Sequence, residues 1–246
     1  MFAKLFNRRK TALVAPPTTG GRLVYAVGDV HGRLDVLEQM IQVIVGDVRA
    51  QQPRQQPLLI FLGDYVDRGP ESAGVVERIL RLKKKPAFEV RTLKGNHEEA
   101  LLQFVGDPTF GQTWAEHGGL ATISSYGVQP PLSRLDPEVW ERARDAFDEA
   151  LPAHHRAFYE SLELTVEVGD YLFVHAGVRP GVALQDQAER DLLWFDVVEL
   201  ADLRRRLPDE LIADFAKRQL AGDARSFGVV DDAERAGRGS AEIVGA

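Results

Sequence analysis

The stretch Leu58-Leu59-Ile60-Phe61-Leu62-Gly63-Asp64-Tyr65-Val66-Asp67-Arg68-Gly69 decides the fold. Its first five residues are apolar without alternation, the pattern of a strand covered on both faces. A glycine and a polar loop follow, and Pro70 opens a helix carrying Val75, Val76, Ile79, Leu80 and Leu82 at helical spacing. The same order occurs on either side. Leu23 to Val27 leads through Gly28 to a helix from Leu34 to Val45, and Phe88 to Leu93 leads to a helix containing Leu101, Leu102 and Phe104. Recurring strand, loop and helix predict an α/β fold of βαβ units around a buried parallel sheet, with sites beyond the carboxyl ends of its strands.

Farther along, helices are expected from about Thr113 to Tyr126 and from about Pro137 to Glu160, separated by Pro130-Pro131. Leu162 to Val168 and Tyr171 to His175 flank Gly169-Asp170, a two-residue link that closes a hairpin and begins a second, antiparallel layer. Val197 to Leu220 has helical periodicity. Ala221 to Ala246 is Gly-, Ala-, Asp- and Arg-rich with no strand pattern, and reads as a disordered tail. The expected organisation is a basic disordered tail over 1–21, a folded domain over 22–194 and an atypical segment over 195–246.

The 246 residues suffice for a large core, and 44% hydrophobic with 27% charged residues is a globular composition. A net charge of −7 disfavours general attraction to nucleic acid or anionic lipid, so any phosphate must be held locally. Cysteine is absent, which excludes disulfides, thiolate metal sites and a cysteine nucleophile. The basic start, with Arg8, Arg9 and Lys10, lacks the apolar run of a signal peptide, and no span is long enough for a membrane helix. A soluble, cytoplasmic protein is expected.

Four strand ends carry hard-metal ligand types: Gly28-Asp29-Val30-His31-Gly32, Gly63 to Gly69, Gly95-Asn96-His97-Glu98, and His175-Ala176-Gly177. Asp29 and His31, two apart, point the same way from an extended loop and can grip one cation. Asp64 can bridge two cations. Asn96 and His97 face apart, so one can reach a metal while the other faces what the metal binds. Carboxylate, imidazole and amide oxygen without thiolate suit Mn²⁺, Fe or Zn²⁺ with open positions. Arg68 can take two phosphate oxygens, His97 can donate a proton to a leaving group, and Asp67 can orient His97. Singly, each loop reads as a turn, a cap or a buried histidine; four in order behind strands read as a site. His117, His154 and His155 read as solvated surface, and Lys83 to Lys85 as the charged end of a helix.

These motifs, GDVHG, GDYVDRG, GNHE and HAG, resemble the calcineurin-like metallophosphoesterases, and within them the bacterial and phage branch of the serine/threonine phosphoprotein phosphatases. The resemblance covers about residues 23 to 194. It implies a β-sandwich with βαβ units flanked by helices. It also implies two divalent ions, Mn²⁺ foremost with Fe or Zn as alternatives, one on Asp29, His31 and Asp64 and the other on Asp64, Asn96 and His175. Asp67 and His97 would form the acid pair and Arg68 would bind phosphate, with Asn96 and His97 also facing the substrate. The implied activity is hydrolysis of phosphoprotein or small phosphoester substrates, with symmetrical dinucleoside tetraphosphatase as the runner-up.

The match stops after Leu192-Leu193-Trp194. Family members carry a further metal-ligand histidine in a Gly-His-Thr-like motif and a second phosphate-binding arginine, whereas no histidine follows His175 here. Arg204, Arg205 and Arg206 read as a charged helix face. A shifted reading frame after about Trp194 accounts for this, as does divergence into a weak enzyme or a non-catalytic phosphate-binding scaffold. Either way the last strands are expected to be missing, leaving an open sheet edge and lowered solubility or stability.

Overall fold

The computed structural model describes residues 18–133 and 135–194, and the backbone of two strand segments nearer the C-terminus. Strands β1 (Val24–Val27), β2 (Leu58–Phe61) and β3 (Glu89–Thr92) run parallel, with Val24 opposite Leu58 and Leu58 opposite Glu89. Helices α1 (Leu34–Gln51) and α2 (Ser72–Lys83) connect them, and α3 (Asn96–Gly106) follows β3. Hairpin strands β4 (Thr165–Val168) and β5 (Tyr171–Val174) form a second sheet, joined through Gly169-Asp170.

Both faces of the first sheet are covered, and this is why its strands lack alternation. Tyr25, Val27, Leu59 and Phe61 pack into the helical side with Leu37, Ile41, Val76, Ile79 and Leu101. The alternate residues Val24, Ala26, Leu58 and Ile60 pack on Val166, Tyr171 and Phe173 of the second sheet. The result is a sandwich of two sheets with helices on the outer face, and all three parallel strands release their loops at one end.

Three expectations are corrected. The terminal segment does contain strands: β6 (Phe227–Val230) pairs antiparallel with β1, and β7 (Ile243–Val244) pairs parallel with β5. The sheet orders are therefore β3-β2-β1-β6 and β4-β5-β7, and β1 is not an open edge. Backbone pairing needs no apolar alternation, so these short strands left no periodic signal. Second, the helix expected over Thr113–Tyr126 is two, α4 (Gly111–Glu116) and α5 (Gly119–Ser125), broken at Gly118 with φ +105°. A Cβ there would lie 2.7 Å from the Arg68 nitrogen. Third, the helix over Pro137–Glu160 is α6 (Pro137–Ala150) and α7 (Ala153–Glu160), separated where Pro152 forces Leu151 to be extended. A short α8 (Glu189–Leu193) closes the continuous part. The expected helices within Val197–Leu220, Arg204 to Arg206 and the tail before residue 18 lie outside the described residues.

Among the described residues, no helix is long and apolar enough to cross a membrane. The helical side is aromatic: the Phe147 ring lies 5.9 Å from Trp114, 6.2 Å from Phe104 and 5.4 Å from Tyr126. Phe147→Ala removes a fully buried ring from this cluster. It should lower unfolding free energy by about 3–5 kcal/mol, read as a shifted urea midpoint with unchanged slope.

Candidate metal centre

The loop after β2 is held in a conformation that most residues avoid. Asp64, Asp67 and Arg68 have φ of +52°, +72° and +65°, and His31 in the facing loop has +43°. Among the described residues only Gln52 joins them as a non-glycine with positive φ. Each such residue costs on the order of 1–3 kcal/mol and persists only where its surroundings over-determine it. Here backbone bonds lace the loops: Val30 and His31 donate to Asp64 oxygen at 3.0 and 2.8 Å, and Gly32 donates to Tyr65 oxygen at 2.8 Å. The Tyr65 hydroxyl donates to Leu93 oxygen at 2.6 Å. Gly63, with φ +115°, lets the next loop approach; a Cβ would sit 2.7 Å from Gly95 nitrogen and 2.8 Å from His175 Nδ1.

The four motif loops converge. His31 Nε2 lies 3.7 Å from Asp29 Oδ2 and 3.6 Å from Asp64 Oδ2. His175 Nε2 lies 3.5 Å from Asp64 Oδ1 and 3.1 Å from Asn96 Oδ1. The two Asp64 oxygens thus face different histidines. Two donor groups emerge, His31 with Asp64 and His97, and Asp29 with Asp64 and His175, each with ligand atoms within 4.8 Å of one another. The groups overlap rather than exclude one another, since both contain Asp64 and His31 Nε2 also lies beside Asp29 Oδ2. His97 also turns inward, its Nε2 3.9 Å from Asp64 Oδ2, rather than only facing away.

The donor chemistry fits cations. His31 donates Nδ1–H to Val66 oxygen at 2.8 Å and His175 donates Nδ1–H to Leu62 oxygen at 2.9 Å, leaving both Nε2 lone pairs directed inward. Asn96 has two amide orientations. With its oxygen inward it meets only acceptors, Asp64 and His175, as a cation ligand does; turned over, its nitrogen would donate to Asp64 Oδ1 at 3.2 Å and to His175 at 3.1 Å. Burial raises the Asp64 pKa to about 7, with Asp29 adding to it while His97 opposes. Positive charge between the two carboxylates would remove that penalty. Burial is also the main cause that lowers the His31 pKa to about 4, favouring the neutral ligand form.

Beside these acceptors stands a second constellation. His97 donates Nδ1–H to Asp67 Oδ2 at 2.6 Å. Asp67, fully buried, also accepts from Trp114 Nε1 at 2.8 Å and, through Oδ1, from Thr122 Oγ1 at 2.6 Å. Its own N–H donates to Thr122 Oγ1 at 2.8 Å and Ser72 Oγ at 3.1 Å. Burial pulls the His97 pKa down, but Asp67 and then Asp64 outweigh it, so the net shift is upward. Arg68, exposed, folds inward and donates Nη1–H to His31 Nε2 at 2.9 Å and Nη2–H to His97 Nε2 at 3.1 Å.

Three contributors, Trp114, Thr122 and Ser72, escaped the sequence reading, and Glu98 enters it only within the GNHE motif, without a role of its own in the site. Glu98 had a signal, since a glutamate three residues after Gly95 fits a helix-capping pattern. It is buried and accepts from the N–H of Asp64 (2.9 Å), Tyr65 (2.8 Å) and Gly95 (3.0 Å). Trp114 and Thr122 had none, because only the break at Gly118 brings both onto Asp67. His155, expected on the surface, is buried and hydrogen-bonded to Tyr126; His117 and His154 are exposed. Lys83, expected only as a helix-end charge, donates to Thr92 Oγ1 at 2.8 Å.

Comparison with known proteins accords with this geometry. The family model for calcineurin-like phosphoesterase matches residues 23–224. Serine/threonine-protein phosphatase 2 of Escherichia coli (strain K12) is 31% identical over 177 residues, 70% of this chain and 67% of that protein. A symmetrical bis(5'-nucleosyl)-tetraphosphatase of Acidovorax sp. (strain JS42) is 31% identical over 181 residues, 72% of this chain and 50% of that protein. The zinc-dependent endopolyphosphatase of Saccharomyces cerevisiae is 29% identical over 163 residues, 63% of this chain and 47% of that protein. The chain thus spans roughly half to two thirds of these relatives' lengths. With the matched model covering most of the chain and the acceptor loops converging on Asp64, the protein belongs to the calcineurin-like phosphoesterase family.

Proposed function

We propose that the protein is a metal-dependent phosphomonoesterase acting on phosphoserine or phosphothreonine in proteins. The observation that carries this reading is the buried Asp64 carboxylate, its two oxygens turned toward different imidazoles. Asp29, His31, Asp64, Asn96 and His175 would hold two divalent ions, with Mn²⁺ the first choice. When bound, such ions supply a water acidic enough to attack phosphorus near neutral pH and positive charge for the phosphate oxygens.

The chain's own residues supply the rest. Arg68, the exposed residue of an otherwise buried loop beside the acceptors, presents a planar fork of N–H donors that matches two phosphate oxygens. To do so it leaves the imidazoles of His31 and His97, which frees both Nε2 atoms. His97 then holds a proton at Nε2 for the departing oxygen. Asp67 keeps the ring oriented through Nδ1–H and stabilises its charged form. Trp114 and Thr122 fix both Asp67 oxygens, so the acid pair cannot rotate away.

Two features support protein substrates: the GDYVDRG form of the second motif and the coverage by the Escherichia coli phosphatase. The similarity to a symmetrical tetraphosphatase supports a second reading, a dinucleoside tetraphosphate substrate. Side-by-side assays on a phosphothreonine peptide and a dinucleoside tetraphosphate separate them; cleavage of the second alone would overturn the first reading. Lacking the family's later histidine, the site should need added Mn²⁺ in excess, and a chelator should abolish turnover reversibly.

Asp64→Asn should remove hydrolysis of an aryl phosphate at any Mn²⁺ concentration, and undiminished turnover would refute the bridging role. His97→Asn should slow a phosphoserine peptide about 10²–10⁴-fold. It should slow an aryl phosphate much less, because a phenolate leaves without a proton donor. Equal losses on both substrates would argue against His97 as the acid.

A further inference from the structure

A second cluster of metal-ligand atoms lies between α2 and α7, outside the four motif loops. Glu77 projects from α2, and His154 and His155 from the first turn of α7. Both imidazoles aim Nε2 at the same carboxylate oxygen: His154 Nε2 is 3.1 Å and His155 Nε2 3.4 Å from Glu77 Oε2. The three ligand atoms lie within 4.8 Å of one another. We propose that Glu77, His154 and His155 bind a divalent transition-metal ion of the zinc class, independently of the candidate phosphoesterase centre.

Four features carry the assignment. Four-coordinate zinc with bonds of about 2.0–2.1 Å places neighbouring ligand atoms about 3.3–3.4 Å apart, close to both nitrogen–oxygen separations here. Two imidazoles and one carboxylate form a ligand set of borderline softness that suits zinc over magnesium or calcium. The outer partners are also present. His155 Nδ1 lies 2.8 Å from the Tyr126 hydroxyl, which lies 2.9 Å from the Tyr159 hydroxyl, so a ring donating Nδ1–H to Tyr126 keeps its Nε2 lone pair on Glu77. Finally, Arg81 donates Nε–H to the other Glu77 oxygen at 2.8 Å, orienting the carboxylate and leaving Oε2 for the ion.

Burial is asymmetric in a way that suits an accessible site. His155 is nearly closed off, with a side-chain exposure of 5%, whereas His154 is 59% exposed. One side is therefore anchored and the fourth position faces solvent. A bound ion would cross-link two helices that lie next to each other on the outer layer. The competing arrangement is metal-free, with each Nε2–H donating to Glu77.

The experiment is equilibrium dialysis of the full chain against micromolar Zn²⁺ in the Asp64→Asn background, which disables the bridging ligand of the motif loops. The expected result is that adding His154→Ala lowers the Zn²⁺ content by one equivalent, and that Glu77→Gln does the same. His154 is exposed, so its truncation leaves the core intact, and circular dichroism checks this. In the wild-type background, His154→Ala should leave Mn²⁺-supported aryl phosphate turnover unchanged. An equal Zn²⁺ content with and without His154→Ala overturns the proposal, whatever the outcome of the phosphatase assays.

Discussion

The site hangs on one buried carboxylate that belongs to no metal group. Glu98, in the first turn of α3, gathers the amide N–H groups of Asp64, Tyr65 and Gly95, tying the loop after β2 to the loop after β3. Burial, and next the charge on Asp64, raise the Glu98 pKa to about 7, so its position is itself electrostatically costly. What holds it there is the set of backbone donors, whose own burial would otherwise leave them unpaired. With those amides captured, Asp64 keeps its left-handed backbone and both of its oxygens face inward.

Around that anchor the structure sorts polar groups by role. On one side lie the ligand-type acceptors, the Asp29 and Asp64 oxygens and the Nε2 atoms of His31 and His175, each imidazole fixed by giving Nδ1–H to a backbone carbonyl. On the other side Asp67 accepts from His97, Trp114 and Thr122, and forms a pair suited to holding a proton. The parallel sheet makes this sorting possible, because three loops emerge at one end and β5 brings His175 there from the second sheet. The helical layer contributes as well. Its aromatic packing sets Trp114, and the turn at Gly118 sets Thr122.

Much of this was legible in the residues. Unbroken apolar runs such as Leu58 to Leu62 announce strands covered twice, and glycine followed by ligand types at each strand end points to one cluster. What stayed hidden has physical reasons. The break at Gly118 is dictated by Arg68, distant in sequence, and Leu151-Pro152 interrupts a helix whose apolar period continues through it. Strands β6 and β7 rest on backbone pairing and carry no alternation of their own. The burial of His155 follows from Tyr126 and Tyr159 on neighbouring helices, which no local pattern reveals. The closeness of the His97 ring to His31 and to Asp64 depends on three-dimensional angles that spacing alone leaves open.

Anomalous diffraction from a Mn²⁺-soaked crystal of the full chain reports on the shared carboxylate itself. Two peaks about 3.5–4 Å apart, both in contact with Asp64, are predicted. A single peak, or two peaks of which one avoids Asp64, would contradict the bridging arrangement on which the phosphoesterase reading stands.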